Sequence, residues 1–165
     1  MQYTTEQVKK MVYSYREDML SRGIKVGKVM GVRFTKSPHD FGFCQKIRQG
    51  VYVITITDLA LHGDIKSTVV HELIHTVKGC YNHGSKFQTI AKELSKAYNI
   101  ELGTTASSRE MEMTKEYRLS KAKYVIKCTN SNCNCMIFRY RAVGVVVNTD
   151  KYRCGDCGSN LVRIR

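Results

Sequence analysis

His71-Glu-Leu-Ile-His75 constrains this chain more than any other stretch of it. The motif lies in a run from Ile65 to Lys78, where Val69, Val70, Leu73, Ile74 and Val77 give a helix broad apolar surface. Two histidines four residues apart share one face of an α-helix, so both imidazoles can reach a single ion. Glu72 projects roughly 100° further around the axis, close enough to address a water on that ion without ligating it. Such a helix is expected to be buried, with Asp64 as its N-cap and Gly79 as its stop.

A catalytic zinc keeps three protein ligands and one open position, so a third ligand is required. An extended pattern with Gly at 78 and His at 81 is excluded by Lys78 and Tyr81. Two candidates remain. His83 follows the short Gly79-Cys-Tyr-Asn82 turn and can fold back onto the motif helix, which makes it the preferred ligand. Glu93, in the next helix, is the alternative.

Around this motif the text reads as α+β, with amphipathic helices packed on a short β-sheet and the motif helix central. Val8, Met11, Val12, Tyr15, Met19 and Leu20 predict a helix from Thr5 to Ser21, stopped by Gly23. The β-branched segments 28–34 and 51–57 predict strands, with a turn at Ser37-Pro38 and a short extra strand at 41–44. Phe87, Ile90, Ala91, Leu94 and Tyr98 predict a helix from Ser85 to Tyr98, and Ser85 with Gln88 has the form of a capping box. The expected organisation is a motif-bearing core over residues 1–103, a linker or loop over 104–116 and a β ribbon over 117–165.

The ribbon rests on cysteines. Cys154-Gly-Asp-Cys157-Gly158 places two thiolates on a tight turn, with the glycine in the left-handed position. Cys128 and Cys133 supply the second pair at a spacing suited to a four-cysteine structural zinc. Cys135 is the alternative to Cys133. Cys133 is preferred because Asn134 takes a left-handed turn after it more easily than Met136 would after Cys135. The segments 136–141 and 143–147 supply strand text for a hairpin. Cys44 and Cys80 stand alone and read as core packing; His39 and His62 stand in no ligand pattern. Seven cysteines, in a chain whose N-terminus lacks the apolar core of a signal peptide, point to a reducing, intracellular setting where thiols bind metal.

Charge completes the reading. Lys and Arg number 27 against 14 Asp and Glu, a net charge of +13 that draws polyanions. Residues 115–165 hold 11 of the cations and 3 of the anions. There Arg139, Tyr140, Arg141, Tyr152 and Arg153 interleave guanidinium and aromatic groups suited to phosphate contact and base stacking. No base-reading element is evident, so DNA binding is expected to be sequence-tolerant, to favour single strands and to weaken with salt. No stretch has the length of a membrane span, and a monomer is the expected state.

The run from Ser67 to His75, followed by His83-Gly84 and by Phe87 opening a helix, resembles the SprT-like metallopeptidases, which include the Spartan proteases. Phe41-Gly-Phe-Cys44, the segment from Val53 to Leu59 and the C-terminal cysteines resemble that family as well, so the resemblance spans residues 5 to 165. The stretch between His75 and His83 is shorter than in several members. The resemblance implies a zinc endopeptidase that cleaves proteins at DNA, cytoplasmic and nucleoid-associated, with Glu72 as the base that activates zinc-bound water. The competing reading is a non-catalytic zinc-ribbon protein that binds nucleic acid and carries an inert motif. A third is a peptidase of a cytoplasmic regulator with no DNA involved.

Overall fold

Thr4 starts the first helix, α1 (Thr5–Ser21), with a capping box that the sequence reading missed. Its hydroxyl accepts the Gln7 amide at 3.2 Å while the Gln7 side chain accepts the Thr4 amide at 2.8 Å. The helix ends where Gly23, at φ +80°, lets the Gly23 and Ile24 amides cap the carbonyls of Leu20 and Met19. The computed structural model describes residues 3–105 and 108–165. Ala106 and Ser107, inside the stretch read as a linker, lie outside the described residues.

Three strands follow: β1 (Lys28–Thr35), β2 (Gly42–Arg48) and β3 (Val51–Thr57). Their order is β1-β3-β2, with β1 parallel and β2 antiparallel to β3. The extra strand expected at 41–44 is therefore a full edge strand. A two-residue loop, Gln49-Gly50, joins it to β3, with Gly50 at φ +72°. Ile54 and Ile56 of β3 meet Val8, Val12 and Met19 of α1 in one core.

The motif helix, α2 (Ile65–Ile74), drives Val69, Val70, Leu73 and Ile74 into that core. Asp64 caps it as expected, accepting the Lys66 and Ser67 amides at 3.2 Å. The expected continuation to Lys78 does not form. The Thr76 hydroxyl donates to the Leu73 carbonyl at 2.7 Å, and the Thr76 amide takes the same i−3 carbonyl at 3.0 Å. A side chain that competes for backbone acceptors in this way tightens and ends a helix. The third helix, α3 (Ser85–Tyr98), packs Phe87, Ala91 and Leu94 inward and ends at Asn99 with φ 51°. Its N-cap is Gly84 without a side-chain cap, so the capping box expected at Ser85 is absent. Gln88 reaches back past it to the His83 carbonyl at 3.0 Å.

Two short helices, α4 (Ser108–Met113) and α5 (Lys115–Lys121), occupy sequence read as loop and strand. The Lys, Glu, Arg and Leu of α5 are good helix formers, and that local preference prevails there. The chain divides into two compact units, one ending at Thr114 and one starting at Lys115. Within the second, β4 (Tyr124–Cys128) is central, flanked by the antiparallel strands β5 (Met136–Arg139) and β6 (Leu161–Arg163). The strand expected over 143–147 is instead the helix α6 (Gly144–Val147). The run joins neither open edge of that sheet, and within it only Val146 is buried. Among the described residues no helix is long and apolar enough to cross a membrane.

Candidate metal centres

The first centre is assembled from α2 and the turn that enters α3. His71 and His75 lie one turn apart on α2, and the tightened end of that helix brings the chain back so that His83 meets both. The Nε2 atoms of His83 and His71 are 2.9 Å apart, and those of His75 and His71 are 3.2 Å apart. The potential ligand atoms of all three lie within 4.8 Å of one another. The other side of two of these rings is held by main chain. His75 Nδ1 is 2.8 Å from the Cys80 carbonyl, and the Gly103 backbone hydrogen-bonds the His71 ring. Backbone partners of this kind fix the tautomer and leave the opposite nitrogen free for an ion.

Phe87 forms the floor. Its ring centroid lies 5.0, 4.9 and 4.7 Å from those of His71, His75 and His83. Only 1 % exposed, this ring ties the imidazoles to the core of the unit. Glu93, the alternative third ligand, is exposed on α3, and the histidine group does not include it.

Glu72 is the chemically unusual residue. Its side chain is buried against β2, and its Oε2 has no hydrogen-bond partner. Burial pushes its carboxyl up to about 8. Burial, followed by the His75 and His83 charges, lowers His71 to about 4, and burial lowers His75 too. Both shifts favour the neutral imidazole at His71 and His75, the form that binds metal. The three converging imidazole nitrogens fit a divalent cation, and the residue that follows His71 keeps an unpartnered buried oxygen, which is costly as it stands.

Gly42 is what lets β2 come this close. A Cβ there would lie 3.0 Å from the Thr55 carbonyl oxygen, 3.1 Å from Glu72 Cγ and 3.2 Å from Thr68 Cγ2. Cys44, two residues on and on the same face of β2, has its thiol pushed up to about 12 by burial and then by Glu72. Gly42, Gly103, the Cys80 carbonyl and the role of Phe87 were missed in the sequence. Backbone partners leave no trace in side-chain identity. The glycine and the phenylalanine are visible only as residue types.

The second centre lies in the C-terminal unit. Cys128 at the end of β4, Cys133, Cys154 and Cys157 place their sulfurs within 4.8 Å of one another, close enough to hold a metal ion. Cys128 and Cys157 are 3.4 Å apart, and Cys133 and Cys154 are 3.7 Å apart. Gly158 takes φ +71° after the second thiol of its turn, as the spacing predicted. Backbone amides of Asp156 and Cys157 lower the Cys154 thiol, and Ser159 pulls Cys157 down to about 6. These two shifts favour the thiolate that metal binding needs, whereas Cys128 is raised and Cys133 is pushed up to about 12. The donor set suits zinc without being specific for it. Cys133 rather than Cys135 joins the four, but the reason expected for it does not hold. Among the described residues Asn99 is the sole non-glycine with positive φ, so Asn134 makes no left-handed turn.

Of the residues read as a nucleic-acid face, Arg139 and Tyr140 are half-buried, while Arg141, Tyr152 and Arg153 are exposed. Arg153 donates to the carbonyls of Asp150 and Tyr152 at 2.8 and 3.0 Å, which stiffens the chain beside the cysteine turn. No protein-family model matches the chain, and no curated protein matches it either.

Proposed function

We propose that this chain is a zinc-dependent endopeptidase of the SprT-like type its motifs resemble, acting on proteins at DNA. The observation that carries the proposal is a cluster of three convergent imidazoles on a helix that also carries, next in the chain to His71, a buried carboxyl with an unpartnered oxygen. His71, His75 and His83 would hold the zinc through Nε2. When bound, it supplies Lewis-acid polarisation of a peptide carbonyl and of a water. Glu72 accepts the proton of the attacking water at its free oxygen and delivers it to the departing amide nitrogen. Phe87 and the Cys80 and Gly103 backbone keep the imidazoles oriented while this happens. A purely structural three-histidine site gains nothing from a neighbouring carboxyl whose desolvation is costly, which favours the enzyme over the inert binder.

The DNA association rests on the C-terminal unit. Its formal charge of +8 falls to about +6 once four thiolates hold one Zn²⁺. Arg141, Tyr152 and Arg153 offer exposed phosphate contacts and a stacking surface. Affinity for single-stranded DNA of mixed sequence is expected to fall steeply with salt, and salt-independent binding would remove this part of the reading.

The deciding experiment compares wild type with Glu72→Gln on a protein crosslinked to single-stranded DNA. Zinc per chain is measured on both, with His71→Ala as the metal control. Glu72→Gln is expected to keep its zinc and to lose cleavage by at least about 100-fold. His71→Ala is expected to lose one zinc. Undiminished cleavage by Glu72→Gln would overturn the role assigned to that residue. Cleavage that is the same with and without DNA would favour a cytoplasmic regulator as substrate.

A further inference from the structure

Five cysteines meet in the C-terminal unit, where a tetrahedral ion needs four. The fifth, Cys135, has a place of its own. Its sulfur, the Cys154 sulfur and a carboxylate oxygen of Asp156 lie within 4.8 Å of one another. The Cys135 thiol hydrogen-bonds with both of those groups. Cys154 therefore belongs to two ligand groups at once.

All three donors sit on well-held backbone. The Cys135 carbonyl accepts the Cys128 amide at 3.1 Å, which ties its loop to the end of β4. Asp156 rides the Cys154–Cys157 turn, where Gly158 donates to the Cys154 carbonyl at 2.8 Å and Cys154 to the Ser159 carbonyl at 2.8 Å. Cys135 is half-buried and Asp156 is exposed, so an ion can reach the group from solvent.

Three groups that become anionic on deprotonation converge here, and a cation is what relieves that repulsion. Four thiolates around one Zn²⁺ already carry −2, so the local field favours a second cation even though the chain as a whole is strongly basic. Two sulfurs and one oxygen select a borderline or soft divalent ion over Ca²⁺ or Mg²⁺. A thiolate sulfur has lone pairs enough to bridge two ions.

We propose that Cys135, Cys154 and Asp156 form a second site for a thiophilic divalent cation, sharing the Cys154 thiolate with the four-cysteine centre. Its remaining positions are open to water or an external ligand. With one of its three ligands shared, it binds more weakly than the four-cysteine centre, so its occupancy follows the free concentration of the ion.

The test uses the full chain, dialysed with a thiol-free reductant against buffered Cd²⁺ as the probe. Cadmium per chain and thiolate charge-transfer absorption are measured for wild type, Cys135→Ser and Asp156→Asn. Each variant is expected to bind one Cd²⁺ fewer than wild type at saturation. Counts are compared between variants, so an empty histidine centre lowers all of them alike and leaves the difference intact. Asp156 is exposed, so its replacement tests the site even if Cys135→Ser disturbs folding. Equal counts in all three proteins would overturn the proposal. So would a count for Asp156→Asn equal to wild type, because Cys135 would then be only a substitute ligand of the four-cysteine centre.

Discussion

Glu72 is 5 % exposed, yet among the described residues its Oε2 has no hydrogen-bond partner. In metal-free protein its raised carboxyl has a consequence for stability. Between the ordinary carboxylate value of 4.5 and about 8, the folded state keeps a proton that the unfolded chain has released. Stability contributed by the protonated group is therefore complete below pH 4.5 and is lost as pH rises toward 8. His71, lowered from 6.5 to about 4, acts in the opposite sense over its own window, so the two partly cancel near pH 5 to 6. Chemical denaturation of metal-free wild type and Glu72→Gln at pH 5 and pH 9 separates them. The variant should gain on wild type by on the order of 3 kcal/mol between those pH values. A constant difference would mean that Glu72 is ionised, with a partner, in the folded chain. Gly42 makes the companion prediction. A methyl at Gly42 displaces Glu72 Cγ or Thr68 Cγ2 by a few tenths of an ångström, so Gly42→Ala should lower cleavage about tenfold at unchanged zinc content. Loss of zinc alongside activity would instead indicate a general disturbance of α2. The convergence of His71 and His75 was legible in the sequence because helical spacing alone brings them to one place. The need for glycine at Gly42 was not, because it arises from a strand and a helix meeting across the fold.

At the scale of elements, α2 shows where local signals suffice and where they fail. Its start was legible because Asp64 acts on amides two and three residues away. Its end was not, because Thr76 acts on both near and distant partners. The hydroxyl gives its proton to Leu73 and takes one from the Gly27 amide, 49 residues away, at 3.0 Å. Thr76→Val keeps the shape but leaves the Gly27 amide without its acceptor, at a cost of about 1–3 kcal/mol. It also frees α2 to continue, which would draw the Cys80 carbonyl away from His75 Nδ1. Stability and zinc affinity should therefore fall together, read by denaturation and by competition with a chelator. A drop in stability with unchanged zinc affinity would uncouple the helix end from the centre. The valines of 143–147 failed as a strand although β5 and β6 each keep an open edge: the stretch curls into α6, where Val146 joins the buried cluster.

The whole molecule is two units with unlike sources of stability. In the first, three helices and the sheet share one core that runs from Val8 to Leu94. In the second, the buried cluster is Ile126, Val146 and Leu161 together with Cys128 and Cys154, two of the candidate metal ligands. A unit of about 50 residues with so small a core is marginal by hydrophobic burial alone. A structural zinc contributes roughly 10–16 kcal/mol of binding energy that exists only in the folded arrangement. Metal removal should therefore act unequally. Hydrogen exchange on the full chain with a strong chelator should show β4, β5 and β6 losing protection, while α1, β3 and α3 retain theirs. Restoring Zn²⁺ should restore protection in the strands. Phe87 and its apolar neighbours are buried without any ion, so the first unit should keep its fold while the proposed cleavage is lost. Uniform loss of protection across both units would show that they share a single cooperative transition. Unchanged protection of β4 would show that the C-terminal core suffices without metal, and the four thiols would then need another explanation.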